Sequence, residues 1–322
     1  MKIYKKKSIL LFVLGIVLVS CANKKADEDY DLDQEIYSHK KIVNEDYTVN
    51  DIDLKSLGIG TPSGIELINN KVYISDSDDF SIKVFDENLK KVDEISSEKI
   101  ASPSLMTFDE LGKQLFVIDS ASSQIATINT NNNELTNVYS LPNKDSNSHY
   151  VDLSYNLGIL YVTLNTPDSG DAKIVNVDTK TGDAQKLKNL FMGFSSVFKD
   201  RIYFINSLEY YRNSTEEGFH SGDSYVYELK DDELNKEGSL IEGSISGDFM
   251  VDDDFYYVYT SARSTIDRYD KNFKYVDTIA SFDNSDIEAI LKGNGSKILI
   301  LMPNEGRLWE VKSKWIFLIP YW

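Results

Sequence analysis

From residue 55 towards the C-terminus, apolar and polar positions follow one recurring order. A short apolar stretch leads to a turn, then to a stretch rich in Tyr, Phe, Val and Ile. A polar turn follows, then an alternating stretch closing on Asp or Glu, another turn and a last stretch. The first copy occupies 64–68, 71–76, 81–86 and 91–95, with Asn69 and Asn70 as its first turn. Short runs of β-branched and aromatic residues bounded by Asn, Asp, Gly and Ser predict strands. The residue at the heart of the second stretch recurs as Tyr73, Phe116, Tyr161, Tyr203, Tyr257 and Leu299. The recurrence is about 40–45 residues, with one longer step between Tyr203 and Tyr257.

That period is the length of a four-stranded propeller blade. The predicted fold is therefore all-β, a β-propeller of six four-stranded blades, with seven as the alternative count. Strands do not alternate with amphipathic helices, which excludes a parallel doubly wound sheet. The second stretch of each copy is almost continuously apolar, as expected of a strand covered on both faces by neighbouring blades. A ring of blades must join its ends or leave an open strand edge. Two segments compete for the last place, 47–54 and 315–319, and the N-terminal one is expected to close the ring. The C-terminal 315–322 is unusually apolar for an outer strand.

The phrases at 72–76 and 82–86, Val-Tyr-Ile-Ser-Asp and Ile-Lys-Val-Phe-Asp, resemble bacterial propellers with NHL-like or YVTN-like repeats. The resemblance implies the fold; such propellers host binding, hydrolysis and scaffolding alike, so it does not imply an activity. The segment 177–182 is similar to a quinoprotein-type repeat but occurs once. Trp309, Trp315 and Trp322 all lie near the C-terminus, so no tryptophan signature recurs along the blades.

The first residues are patterned differently. Lys2, Lys5, Lys6 and Lys7 precede an apolar run over 8–19, the layout of a secretion signal too short to span a bilayer. The run ends in Leu18-Val19-Ser20-Cys21, which resembles the lipobox of bacterial lipoproteins. That resemblance implies cleavage before Cys21 and lipidation of its thiol; an ordinary signal cut near Ala22 and an uncleaved anchor are the alternatives. Cys21 is the only cysteine, so no disulfide framework is available. The expected organisation is a signal peptide at 1–20, a flexible acidic tether at 21–44 and a propeller at 45–322. A tether of this length would hold the body roughly 25–30 Å from the lipid. The expected location is the bacterial cell envelope, outside the cytoplasm.

A formal net charge of −18 argues against a nucleic-acid partner and leaves membrane attachment to the lipid. The inner strands carry Glu66, Asp152, Asp248, and Asp286 with Glu288, while His149 lies close by in sequence. Oxygen ligands from different blades could hold Ca²⁺. Propeller lactonases use an acidic metal centre, so the resemblance makes Glu66, Asp152, Asp248 and Glu288 a metal-site candidate. Solvated channel residues or strand caps are the plainer reading. His39, His149 and His220 form no zinc pattern, and there is no Gly-x-Ser-x-Gly elbow or glycine-rich phosphate loop.

The long step in the repeat comes from an insertion at 206–222, read as a long loop. Tyr210, Tyr211, Arg212, Phe219 and His220 there offer the aromatic and guanidinium groups that anchor protein, peptide or glycan ligands. A neutral decoration is the alternative, since loop extension costs little entropy. The expected function is a tethered binding or scaffold module without catalysis. A metal-dependent enzyme of lactonase or lyase type and a structural subunit of an envelope assembly are the alternatives.

Overall fold

A computed structural model of the chain describes residues 43–314, apart from 110, 112, 142–148, 167–170, 188–190, 213–216, 221–223, 241–244, 283–287 and 295. The stretches expected to be a signal peptide and a tether, up to residue 42 and including Cys21 and His39, lie outside the described residues, as do Asp286 and the apolar end 315–322.

The strands form six antiparallel sheets, each with a path of four strands, which makes the chain a six-bladed β-propeller. Blades 1 to 5 are built in sequence order. Their inner strands are Pro62–Ile68, Pro103–Asp109, His149–Asn156, Phe191–Phe198 and Ser246–Val251. Blade 6 has Ile290–Asn294 innermost, then Lys297–Met302 and Arg307–Ser313, and takes its outermost strand, Tyr47–Asp53, from the start of the propeller. The pairing runs from Tyr47 against Ser313 to Asp53 against Arg307. The N-terminal segment thus closes the ring.

Local chemistry explains the blade outline. Asn69-Asn70, Lys199-Asp200 and Asp231-Asp232 make two-residue turns with positive φ at both positions, the geometry whose twist suits a tight hairpin. The Asp ending the second strand of blade 1 binds back to the incoming chain. Asp76 accepts from the backbone N–H of Gly60 and Thr61 at 2.9 and 3.0 Å. Asp119 does the same in blade 2 with Ser102 at 3.0 Å and Ala101 at 3.2 Å. These carboxylates replace backbone partners that the connection between blades lacks.

The core is divided among the blade interfaces. Tyr73, Ile82 and Val84 of blade 1 pack with Met106, Leu115 and Val117 of blade 2. On the other face of blade 1, Ile65, Val72 and Ile74 pack with Leu299, Leu301 and Leu308 of blade 6. Similar clusters lie between the remaining neighbours. The second strands are buried on both faces, as in Lys71–Asp76, where only Lys71 is exposed. No helix among the described residues is long and apolar enough to cross a membrane.

Candidate functional site in the central channel

The inner strands run side by side around the axis, so their C-terminal halves end on one face of the ring. There they line a cavity of about 910 Å³. Five of the six inner strands carry a register irregularity. In blades 3 and 5 the irregularity falls between Tyr150 and Asp152 and between Ser246 and Asp248. A bulge redirects the residue that follows it. Here that residue is a carboxylate facing the cavity.

Glu66, Asp152 and Asp248 come from blades 1, 3 and 5, so carboxylates alternate around the ring. Lys292, on the inner strand of blade 6, stands among them, with Nζ 3.3 Å from Glu66 Oε2. Burial alone would lower its pKa, but attraction from Glu66, Asp248 and Asp152 outweighs this and raises it.

Each aspartate is held by neutral donors. Ser195 of blade 4 donates its backbone N–H to Asp152 Oδ2 at 2.7 Å, and its hydroxyl donates to the same oxygen. Ser154 Oγ lies 2.8 Å from Ser195 Oγ. Asp248 accepts from the N–H of Phe249 through Oδ1 and of Leu291 through Oδ2, both at 2.7 Å. Burial pushes Asp152 up to about 6, against the Ser195 hydroxyl and Lys292. Burial, followed by the negative charge of Asp152, pushes Asp248 up to about 7. Asp152 keeps part of its surface on the cavity, whereas Asp248 is 7 % exposed. Near neutral pH the cluster is therefore close to exchanging protons.

The rim has a different character. Leu111, Leu157 and Val197, on blades 2, 3 and 4, are 91 %, 67 % and 37 % exposed and line the mouth together with Lys180 and Lys199. The cavity so combines an acidic interior with an apolar edge.

Glu66, Asp152 and Asp248 are brought to one cavity, but Glu288 is not. It is exposed and precedes the inner strand Ile290–Asn294, at the end of the channel away from the mouth. His149 is exposed at the same end, at the start of the inner strand of blade 3. Among the described residues no three His, Cys, Asp or Glu side chains gather closely enough to hold a metal ion.

The insertion in blade 4 is not a loop in its described part. The strand Arg201–Arg212 continues past the blade, and Glu217–His220 pairs with its far end, placing Tyr210 opposite Phe219 and Glu209 opposite His220 in register. Tyr210, Tyr211 and Phe219 favour an extended backbone, and a hairpin supplies the ladder for it. The inner strand of blade 4 starts beside Glu209, so this hairpin projects on the face opposite the cavity mouth.

No protein-family model matches the chain, and no curated protein matches it in sequence. The solved structures similar to it share the architecture. They include a catalytically inactive His-to-Ala variant of virginiamycin B lyase from Staphylococcus aureus with quinupristin, 13 % identical, covering 83 % of this chain and 99 % of that one, TM-score 0.55. A luciferin-regenerating enzyme is 12 % identical and covers 84 % of this chain and 96 % of that one, TM-score 0.59. The WD40 domain of Pan2 from Neurospora crassa is 13 % identical and covers 78 % and 74 %, TM-score 0.52. At these identities the likeness establishes the propeller fold, and the chain is a six-bladed propeller with enzymes among its structural neighbours.

Proposed function

We propose that the chain is a bacterial lipoprotein, anchored through Cys21 outside the cytoplasm, whose propeller binds an envelope protein, peptide or glycan ligand without chemistry. The observation that carries this reading is the cavity: it opens to one face and has an apolar rim and an acidic interior. Large pockets with a few convergent polar groups are the usual form of a ligand site. The hairpin of Arg201–Arg212 and Glu217–His220, whose sequence carries Tyr210, Tyr211, Arg212, Phe219 and His220, would be a second place for a ligand.

Two measurements test the reading. Metabolic labelling with palmitate should mark the wild-type chain and not Cys21→Ala. A soluble body starting at Asn44 should capture a specific ligand from envelope extracts in the presence of chelator. Absence of both the label and any capture would refute it.

A second reading, a metal-assisted lyase or lactonase, has one observation in its favour. Asp152 and Asp248, raised to about 6 and 7, could trade protons near neutrality. Its test is whether Ca²⁺ raises the melting temperature and whether replacing Glu66, Asp152 and Asp248 removes that shift; an unchanged melting temperature would refute it.

A further inference from the structure

Two features of the channel call for an occupant of one kind. Inside, three carboxyl groups face one ammonium, Lys292, so the interior carries an excess of acid. At the mouth, where Lys180 and Lys199 stand with Asp109 and Asp200, Leu111 and Leu157 sit where water would favour polar residues. Leu157 does so at φ 48°, in a left-handed turn conformation better suited to Asn or Gly. A leucine there is disfavoured by its backbone as well as by its exposure.

We propose that this mouth binds an organic monocation with an apolar body, a primary amine, whose ammonium reaches Asp152 and Asp248 while its apolar part covers Leu111, Leu157 and Val197. The inference rests on the binding reading above and names its ligand class.

The donor count fits. An ammonium has three N–H donors and no acceptor. Asp152 takes the Ser195 N–H and hydroxyl on Oδ2 and a further bond from the Leu153 N–H, and a carboxylate has about four lone-pair sites, so one remains for a further donor. Asp248 accepts one backbone N–H on each oxygen, and each oxygen has a second lone pair. Glu66 is shared with Lys292. A compact metal ion needs its oxygens close together, and these three acids stand on alternate blades without such a cluster among the described residues. An ammonium at the end of a chain tolerates the wider spacing. With no cation present, the surplus charge is relieved by protons on the two aspartates, and an entering ammonium displaces those protons. Binding should then strengthen as pH rises.

The test uses the chain from residue 21 onward carrying Cys21→Ser, which keeps every strand of the six blades, titrated calorimetrically with hexylammonium, hexanoate and Ca²⁺. Hexylammonium should bind saturably at pH 8, about tenfold more weakly at pH 5, and release protons in buffers of differing ionisation enthalpy. Asp152→Asn should weaken it at least about fivefold at pH 8. Leu157→Asn, at an exposed turn that suits Asn, should weaken it with an unchanged or raised melting temperature. Equal binding of hexanoate, binding independent of pH, Ca²⁺ binding in place of the amine, or no binding of hexylammonium would each overturn the proposal. Envelope capture by the same chain alongside any of these would leave the binding reading standing and remove only the amine.

Discussion

Lys292 on the last blade reaches Glu66 on the first, with Nζ 3.3 Å from Oε2, so one ion pair spans the seam between the two ends of the blade series. The pair is largely shielded, at 24 % and 13 % side-chain exposure. Lys292 also offsets Asp152 and Asp248. Lys292→Met should therefore destabilise the chain by about 3–5 kcal/mol at pH 8. The loss should shrink at pH 5, where the two aspartates are protonated. Denaturant titrations at the two pH values measure this, and an equal loss at both would detach Lys292 from the aspartates.

Asp152 and Asp248 also set the pH dependence of the wild type. In the folded chain each holds its proton more tightly than its ordinary value of 3.8 allows. Their contribution to stability is thus complete below about pH 4 and is lost as pH rises through about 6 for Asp152 and about 7 for Asp248. Asp152→Asn keeps a carbonyl for the Ser195 N–H and removes the ionisation. It should flatten the decline between pH 4 and 6 and leave the variant more stable by on the order of 2 kcal/mol at pH 8. An unaltered slope would mean that Asp152 ionises without penalty.

A second buried charge pair should behave in the opposite direction. Lys83 donates to Asp76 Oδ2 at 2.7 Å and also to the Gly58 carbonyl and Asp79. Burial would raise the pKa of Asp76, but the Lys83 bond and the Thr61 and Gly60 N–H groups outweigh it and hold it low. Its contribution is present above the ordinary carboxylate range and is lost as pH falls through the lowered value. Asp76→Ala and Lys83→Met should each cost about 3–5 kcal/mol. The double variant should cost less than their sum, and strict additivity would mean that the two residues act separately.

Gly64 tests the closeness of blades 1 and 2. A Cβ at this position would stand 2.3 Å from the backbone oxygen of Ser104. The inner strand of blade 1 would have to move from that of blade 2, at a cost of about 1–3 kcal/mol. Thermal unfolding of Gly64→Ala measures it, and a melting temperature equal to that of the wild type would show that the inner strands part without strain.

The repeat was legible because the second strand of every blade is sandwiched, and a strand buried on both faces writes itself as a continuous apolar run. Tyr73, Phe116 and Tyr257 mark it and are all buried. The closing strand was legible because its competitor, 315–319, is too apolar for an outer strand, and the structure places Tyr47–Asp53 opposite Arg307–Ser313. Inner strands were harder to read. Their bulges break the period of two, so Pro103–Asp109 and Phe191–Phe198 lack a clean pattern, and with them went Ser195, the partner of Asp152. Lys292 also escaped notice. Its signal was a single lysine amid Ile290, Leu291 and Gly293, a charge that only neighbouring carboxylates could make tolerable. Glu66, Asp152 and Asp248 could be named as inner-strand acids, but only register shows that they alternate around the ring. The same register puts Glu288 ahead of its strand and away from them. The insertion was visible by length, whereas its hairpin depends on pairing with the far end of Arg201–Arg212, which a count of residues does not reveal.

Ring closure by the first strand also dictates an order of events. Thr48 Oγ1 donates to the carbonyl of Lys312 across a separation of 264 residues, so the earliest strand to emerge waits for the latest before it can pair. Five blades can assemble from neighbouring segments in the meantime, but the sixth has no outer strand until both ends are present. Contacts of such long range delay folding, and they tie ring closure to the appearance of Arg307–Ser313. A chain cut short before Arg307 would leave Tyr47–Asp53 without its partner strand, so a closed ring reports that the chain has been made at least as far as Ser313.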